Sequence, residues 1–487
     1  MLQIDKIQQL KNIGRDSSQS FYLKVLGEKL VCHKILRILP GKRIVVEGDW
    51  KGKKVVGKLF FSDHAERHIK REGGGFALLQ AAKVLTPKIL YQGKSSVPNL
   101  FLLLFEFVEK KHAMDEIWLG DDEKQLRELV FNMQELILQQ HKNGLYHIDL
   151  HPQNFISSQN GLFLIDVSDV RRERGCKELS EKVSLNNLAI FYAQLYLKHQ
   201  PLIMEAYRNY CKSRNWEYSS RLEKNLLKAL KKAREIRIKK VFQRCLRNCS
   251  GIIVKKSFST KLAYDRKSHF EVLGKLYSNP DKYIEAGAII KKGNTCTIAK
   301  VNVDGKELVI KRYNIKNFWH LLKNCWRTSR AIKSWRNSHM LQLLGIPTPR
   351  PIAVLEKRWG IFHGRAYFIC EHVPGDLLNV FYSKANKKNS GISEADQMKA
   401  AKEVVEILQS FKLVRLTHGD MKATNFILRD NCQPVLVDLD SMQIYDSARR
   451  FRKFYTKDIR RFMKNWQTLP GAKKIFHSLL GETNLGS

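Results

Sequence analysis

The sequence predicts an α+β fold in which two similar domains follow one another along a chain of 487 residues. The first observation is a repeat, because YHIDLHPQN at 146–154 and THGDMKATN at 417–425 share the positions of a His, an Asp and an Asn. The second is that alternating strand patterns and then a long helical pattern precede each motif. The length also exceeds what one hydrophobic core usually organises. We therefore expect each half to have a small lobe built on an antiparallel sheet and a helical large lobe.

The predicted elements have the same order in both halves. Strand hairpins at 43–61 and 296–313 each end in a β-branched strand that carries a lysine, Lys58 or Lys311. A helical stretch follows and stops at a Thr-Pro element, because proline ends a helix and favours an extended chain. Two strands and a long helix then lead into the repeated motif. We place the domain boundary at NCSG, so that the domains are 1–247 and 248–487.

The spacing of acidic and amide residues is also repeated. Asp149 aligns with Asp420, and Asn154 with Asn425, at a constant separation of 271 residues. A further acid ends an apolar strand seventeen residues after Asp149 and eighteen after Asp420, namely Asp166 and Asp438. Phosphoryl transfer from ATP needs a carboxylate at the attacking hydroxyl, two metal ligands and a cation at the phosphates. Both halves contain such a set in the same order, which predicts a kinase.

These motifs, together with LPGKRIVVEGDW, VIKRYN and RAIKSWRNSHMLQLLGIPTPRPIA, carry a resemblance to a known family. The chain resembles the protein-kinase-like superfamily, in particular the bacterial lipopolysaccharide core (heptose/Kdo) kinases related to aminoglycoside phosphotransferases. The resemblance spans nearly the whole chain as two tandem bilobal copies and implies ATP and Mg²⁺ as cofactors. The roles it implies are catalytic base for Asp149 and Asp420, phosphate contact for Lys58 and Lys311, and Mg²⁺ ligand for Asn154, Asp166, Asn425 and Asp438. Lys422 stands two residues after Asp420, where a cation can reach the transferring phosphoryl group.

Two departures from protein kinases concern regulation and the nucleotide lysine. Ile148 and Gly419 replace the Arg that precedes the catalytic Asp in protein kinases, so we expect no control by a phosphorylated activation loop. Glu72, fourteen residues after Lys58, is the candidate partner of that lysine, although three glycines follow it and disfavour a helix interior. The second half has no acid between 307 and 356. Lys311 must therefore be positioned by another route, or its site is weakened, and we expect Lys58→Ala to cost more than Lys311→Ala.

Composition bears on partners and location. The 86 Lys and Arg exceed the 47 Asp and Glu and give a formal charge of +39, which favours anionic partners unless it only reflects a basic proteome. Nine scattered cysteines without a C-x-x-C pair predict reduced thiols. The N-terminus does not resemble a signal peptide, and the most apolar run, 100–108, is too short to span a bilayer. We expect a cytoplasmic protein that makes peripheral contact with the anionic inner-membrane surface.

The leading hypothesis is an ATP-dependent kinase that phosphorylates a sugar hydroxyl of the lipopolysaccharide core, with one copy degenerate or both active. The acceptor would be an anionic glycolipid or sugar. Alternatives are an aminoglycoside or other small-molecule phosphotransferase and a pseudokinase scaffold. A basic nucleic-acid-binding protein ranks lowest, because no recognition motif accompanies the basic run at 228–247. We also expect Trp319, Trp326 and Trp335 to face the core.

Overall fold

The computed structural model describes residues 1–14, 17–111, 114–268, 270–314, 328–359, 362–387 and 391–481. The chain divides into two compact units. The first consists of Met1–Leu195 and Gln200–Ala233, and the second of Tyr196–His199 and the described part of Arg234–Ser487. Both units combine β-sheet and helices, so the predicted mixed α+β class is confirmed.

The first unit contains a seven-stranded sheet. The short edge strand Leu2–Gln3 pairs in parallel with Phe21–Val25, and the other neighbours are antiparallel. Lys58 lies in an inner strand, opposite Val45 on one side and Leu103 on the other. In spatial order the strands are Leu2–Gln3, Phe21–Val25, Glu28–Leu39, Arg43–Trp50, Lys53–Phe60, Phe101–Glu106 and Ile89–Lys94.

Helices and two short hairpin-like pairs make up the rest of the first unit. Leu145–His147 pairs with Val170–Arg172, and Phe155–Ser158 pairs with Gly161–Leu164, so the His/Asp/Asn motif lies between paired strands. Asp122 caps the long helix before the motif by accepting a hydrogen bond from the backbone of Gln125. The helices are Ile7–Lys11, Ala65–Ala81, Met114–Leu119, Glu123–Lys142, Glu181–Tyr192, Gln200–Ser213 and the first part of Ser220–Arg244.

The second unit contains an antiparallel seven-stranded sheet. Lys311 again lies in an inner strand, opposite Ile298 and Phe368. Five strands have the same spatial and chain order as five in the first unit: the strands from Glu28–Leu39 to Ile89–Lys94 correspond to those from Ala288–Lys292 to Pro351–Trp359. In spatial order the strands are Ile252–Lys256, Thr260–Asp265, Pro351–Trp359, Phe362–Glu371, Lys306–Tyr313, Cys296–Val303 and Ala288–Lys292.

The helical part of the second unit surrounds its own His/Asp/Asn motif. Leu416–Thr417 pairs with Gln443–Ile444, and a three-stranded sheet contains Asp376–Leu377, Phe426–Leu428 and Pro434–Leu436. The helices are Phe270–Ser278, Pro280–Ala286, Arg330–Leu344, Leu378–Ala385, Glu394–Val414, Ala448–Lys464 and Pro470–Gly481. No helix among the described ranges is long and apolar enough to cross a membrane.

The helix Ser220–Arg244 contains the point at which the chain passes from one unit to the other, after Ala233. The boundary predicted at 247/248 lies beyond this helix. The reason for the difference is packing, because Ile238 is buried in the core of the second unit. The backbone oxygen of Cys245 also accepts a hydrogen bond from Trp335 Nε1 at 2.7 Å. That both units are kinase-like domains stays a prediction.

The core prediction for Trp335 is confirmed, because its side chain is fully buried. Trp319 and Trp326 lie outside the described residues. All eight cysteines in the described part of the chain are free thiols, as expected.

Candidate active site

The loop that carries the second motif begins with a buried histidine. His418 donates from Nε2 to the backbone oxygen of Val437 at 3.1 Å. The backbone N–H groups of His418 and Gly419 both donate to Asp458 Oδ2, at 2.8 and 2.9 Å. Burial lowers the pKa of His418, which keeps the ring neutral near pH 7. The histidine therefore braces the loop.

Gly419 explains why this loop has no arginine before its Asp. The residue has φ +82°, a left-handed conformation that favours glycine. A Cβ added here would lie 2.7 Å from the backbone oxygen of Ser441, so a side chain has no room.

We expect Gly419→Ala to lower the free energy of unfolding by about 1–3 kcal/mol, the range for a strained backbone conformation. Urea denaturation of the full chain measures this change. Gly471→Ala is the matched control, because a Cβ there meets nothing within 4 Å. Equal midpoints for the two variants would contradict the close contact with Ser441.

Asp420 is held through all three of its oxygen atoms. Arg461 Nη1 donates to Oδ1 at 2.6 Å, and Lys422 Nζ donates to Oδ2 at 2.9 Å. Asn425 Nδ2 donates to the backbone oxygen of Asp420 at 2.7 Å. Because the amide nitrogen of Asn425 makes this bond, its amide oxygen faces away from Asp420 and suits a cation. The structure thus brings together Asp420, Lys422 and Asn425, and adds Arg461.

Lys311 has carboxylate partners that are distant in the sequence. Its Nζ contacts Asp438 Oδ1 and lies 3.1 Å from Asp440 Oδ2, across 127 and 129 residues. Arg330 Nη2 also donates to Asp440 Oδ2, at 2.9 Å. Lys311 is therefore positioned by another route, one of the two alternatives that the sequence left open.

The electrostatics of this pair favour the charged forms of both groups. Burial alone would lower the pKa of Lys311, but the surrounding groups, including Asp440 and Asp438, raise it well above its usual value. Burial alone would raise the pKa of Asp438, but Lys311 outweighs it and holds that pKa below its usual value. Asp438 therefore carries a negative charge near pH 7, which a metal ligand needs.

The first unit has a comparable lysine pair. Lys58 Nζ contacts Glu72 Oε1, and Arg43 Nη1 lies 3.4 Å from Glu72 Oε2. The helix Ala65–Ala81 continues through the three glycines that follow Glu72. A Cβ at Gly75 would lie 2.1 Å from the backbone oxygen of Val167. Gly75 therefore allows close packing next to Asp166, and the three glycines do not end the helix.

The motif of the first unit is braced in a similar way but differs at its amide. His147 donates from Nε2 to the backbone oxygen of Asp166 at 2.5 Å and accepts from the backbone N–H of Asp149 at 3.2 Å. Burial would raise the pKa of Asp166, but Lys58 outweighs it and lowers the pKa. Asn154 Oδ1 accepts from the backbone N–H of His151 at 2.8 Å, so this amide oxygen is engaged within the loop.

Comparison with known proteins bears on the second unit. Residues 284–479 match the lipopolysaccharide kinase (Kdo/WaaP) family. The match covers 196 residues (479 − 284 + 1) of the 487 and includes every predicted site residue of the second unit. No curated protein matches the chain significantly. The C-terminal part is thus similar to lipopolysaccharide kinases, which are phosphotransferases.

Similarity to a kinase family implies the use of ATP, typically with a divalent metal ion. No group of three or more His, Cys, Asp or Glu that could hold a metal occurs in the part of the chain that the structure describes. The candidate metal ligands among the described residues of 284–479 are only two, the Asn425 amide oxygen and the Asp438 carboxylate. Oxygen ligands of this kind suit Mg²⁺, which usually completes its shell with water and substrate phosphates. The residues therefore fit the metal.

Three residues at the candidate site within residues 284–479 were not predicted from the sequence. Asp440 stands two residues after Asp438, and its spacing was a signal that could have identified it. Arg461 and Asp458 lie on the helix Ala448–Lys464, outside any motif. Only the fold brings them to the loop, so nothing in their local sequence pointed to the site.

Proposed function

We propose that the protein is an ATP-dependent kinase that phosphorylates a sugar hydroxyl of the lipopolysaccharide core. The observation that carries the proposal is the arrangement around Asp420, with Asn425 on its backbone oxygen and Lys422 and Arg461 on its carboxylate. This arrangement lies within the range that matches the lipopolysaccharide kinases. The acceptor class rests on that similarity, and the chemistry rests on the residues.

In this proposal Asp420 receives the acceptor hydroxyl. The sugar oxygen attacks the γ-phosphorus of ATP, the bond to the ADP oxygen breaks, and the hydroxyl proton passes to Asp420. Lys311 contacts the nucleotide phosphates, while Asn425 and Asp438 would hold magnesium, which when bound neutralises phosphate charge. Lys422 donates to Asp420 at 2.9 Å, and in this proposal it moves from that carboxylate to the transferred phosphoryl group.

The acceptor is tested by phosphate analysis of core oligosaccharide from cells with and without the gene. We expect a phosphate group to be lost without the gene and restored by the parent protein, but not by Asp420→Asn. An unchanged phosphate pattern would remove the lipopolysaccharide assignment. The alternative hypothesis of a small-molecule phosphotransferase would then stand only if the purified protein still consumed ATP with another acceptor.

We also propose that the first unit is a second kinase-like domain. The shared order of five strands and the Lys58–Glu72 contact support this proposal. The first unit is the candidate for the degenerate copy, because Asn154 Oδ1 is engaged with the backbone of His151. If Asp166→Asn leaves Mg-ATP binding by the full chain unchanged, the result would support a scaffold role for this unit.

We propose that the helix Ala448–Lys464, here called the basic helix, contacts the anionic inner-membrane surface on the cytoplasmic side. Its buried face includes Tyr455, Ile459 and Phe462. The same helix provides Arg461 to Asp420, which links a membrane contact to the catalytic loop. Its exposed cations are Arg449, Arg450, Arg452, Lys453, Lys457, Arg460 and Lys464.

Replacing Arg449, Arg452 and Lys453 together by Gln should weaken binding to vesicles that contain phosphatidylglycerol. A cation near an anionic surface contributes about 1 kcal/mol, so three predict a loss of roughly a hundredfold. Co-sedimentation with vesicles measures the loss, and phosphatidylcholine vesicles give the background.

The matched control removes three exposed lysines from another helix, Ser220–Arg244. Lys224, Lys228 and Lys232 are exposed there, so their replacement by Gln changes the net charge equally. Equal binding by both triple variants would show that only total charge matters and would contradict the proposed surface. Retention of nucleic acid by the parent at moderate salt would instead favour the nucleic-acid alternative.

A further inference from the structure

The second unit contains a cavity of about 650 Å³ that no proposed step uses. One wall is a face of the helix Arg330–Leu344, and the opposite wall is the segment 440–443 that follows the Asp438 strand. Phe242 closes another side. Arg330, Lys333 and Arg336 line the cavity, since residues three apart share one face of a helix.

The charge of this cavity is unbalanced. Its lining has three cations and one carboxylate, Asp440, which leaves a surplus of two positive charges (3 − 1). Asp440 is buried and already accepts from Lys311 and Arg330. Among the residues that the structure describes, neither Lys333 nor Arg336 has an ion-pair partner. The cavity therefore favours an anionic ligand.

One donor in the cavity wall is also unsatisfied. Arg336 Nε is buried and has no hydrogen-bond partner within the described part of the chain. Its guanidinium lies over the ring of Phe242, 5.9 Å from the centroid, which positions its plane. A buried N–H without an acceptor is unfavourable, so protein groups do not fully satisfy the guanidinium of Arg336.

Two further features indicate the class of anion. The helix begins at Arg330 with no acid in its first turn, so its positive end is not neutralised locally. A phosphomonoester carries about −1.5 to −2 charges near pH 7, which matches the surplus in the cavity. Arginine forks also bind phosphate oxygens in pairs.

We propose that this cavity binds a phosphate group through Arg330, Lys333 and Arg336. Neither Asp420 nor Lys311 lines the cavity, although Asp440 in its wall also accepts from Lys311. The existence of the site does not depend on the proposed kinase activity. The phosphate comes either from a phosphorylated sugar of the acceptor or from a free small phosphate. Only the first source rests on the proposed function.

The test is calorimetric titration of the full-length protein with inorganic pyrophosphate, after saturation with a non-hydrolysable ATP analogue to occupy a nucleotide site. Lys333→Gln combined with Arg336→Gln should weaken binding at least about tenfold, since each removes a charged hydrogen bond. Lys333→Arg should bind nearly as the parent, and Lys402→Gln is the control, because Lys402 is exposed on another helix of the same unit.

Unchanged pyrophosphate affinity in the double variant would overturn the proposal. Lys333→Gln alone, at an exposed position, gives a second reading if the double variant does not fold. If the ATP analogue does not bind at all, the kinase proposal fails, but the comparison of variants still tests the cavity. Displacement of pyrophosphate by phosphorylated core oligosaccharide, and not by its dephosphorylated form, would identify the acceptor as the source. Displacement by neither would leave a free phosphate as the ligand.

Discussion

Asp420→Asn is expected to reduce phosphoryl transfer by about 10²–10⁴-fold, the usual contribution of a general base. The amide has the same volume but cannot take the hydroxyl proton. Stability should change little, because Lys422, Arg461 and Asp420 are all partly exposed, and such ion pairs contribute about 0–1 kcal/mol. Turnover with Mg-ATP and dephosphorylated core oligosaccharide, together with a thermal melt, measures both effects.

Asp149→Asn is the matched variant in the first unit. If the second unit is the catalytic one, Asp149→Asn should retain most of the activity that Asp420→Asn loses. Loss of activity only in Asp149→Asn would assign catalysis to the first unit. Full activity in the double variant would refute the proposed base in both.

The second large effect is expected for Asp438→Asn, which should weaken binding of Mg-ATP by about a hundredfold or more. The substitution removes a metal ligand and also leaves the buried Lys311 with one carboxylate partner fewer. The broken contact with Lys311 lowers folding stability, whereas the lost metal ligand lowers nucleotide binding. A hundredfold loss of binding corresponds to about 2.8 kcal/mol. Calorimetric titration with a non-hydrolysable ATP analogue and Mg²⁺ provides the measurement.

Asp166→Asn is the corresponding change in the first unit, where Glu72 keeps Lys58 paired. We expect a smaller loss there. Nucleotide binding by Asp438→Asn that equals that of the parent would show that the ligand assignment is wrong.

The contacts of Lys311 also remove the reason to expect the larger loss of activity from Lys58→Ala. We therefore expect Lys311→Ala to cost at least as much.

The parts of the site that could be predicted are those set by short-range spacing. Asp420 and Asn425 lie on one loop, and the hydrogen bond between them follows from a separation of five residues. The inner-strand position of Lys311 follows from an alternating hairpin pattern. Glu72 could be proposed because a helix follows the Lys58 strand at a short distance.

The parts that could not be predicted depend on tertiary packing. The acids that hold Lys311 come from 127 and 129 residues away, so the neighbouring sequence contains no partner for it. Arg461 reaches Asp420 from a helix whose pattern indicates only an amphipathic surface. The three glycines after Glu72 disfavour a helix by propensity, whereas one of them, Gly75, allows a close approach between two backbones.

That close approach has a dynamic consequence for the first unit. In protein kinases, the ion pair between the strand lysine and the helix glutamate depends on the position of that helix. At Gly75 the helix Ala65–Ala81 meets the backbone of Val167 with no side-chain layer between them, and a Cβ would lie 2.1 Å from that oxygen. Without such a layer there is nothing to repack as the helix moves, so only the paired arrangement of Lys58 and Glu72 is well packed. If the first unit is kinase-like as proposed, we therefore expect Lys58 to stay paired with Glu72 whether or not a ligand is present.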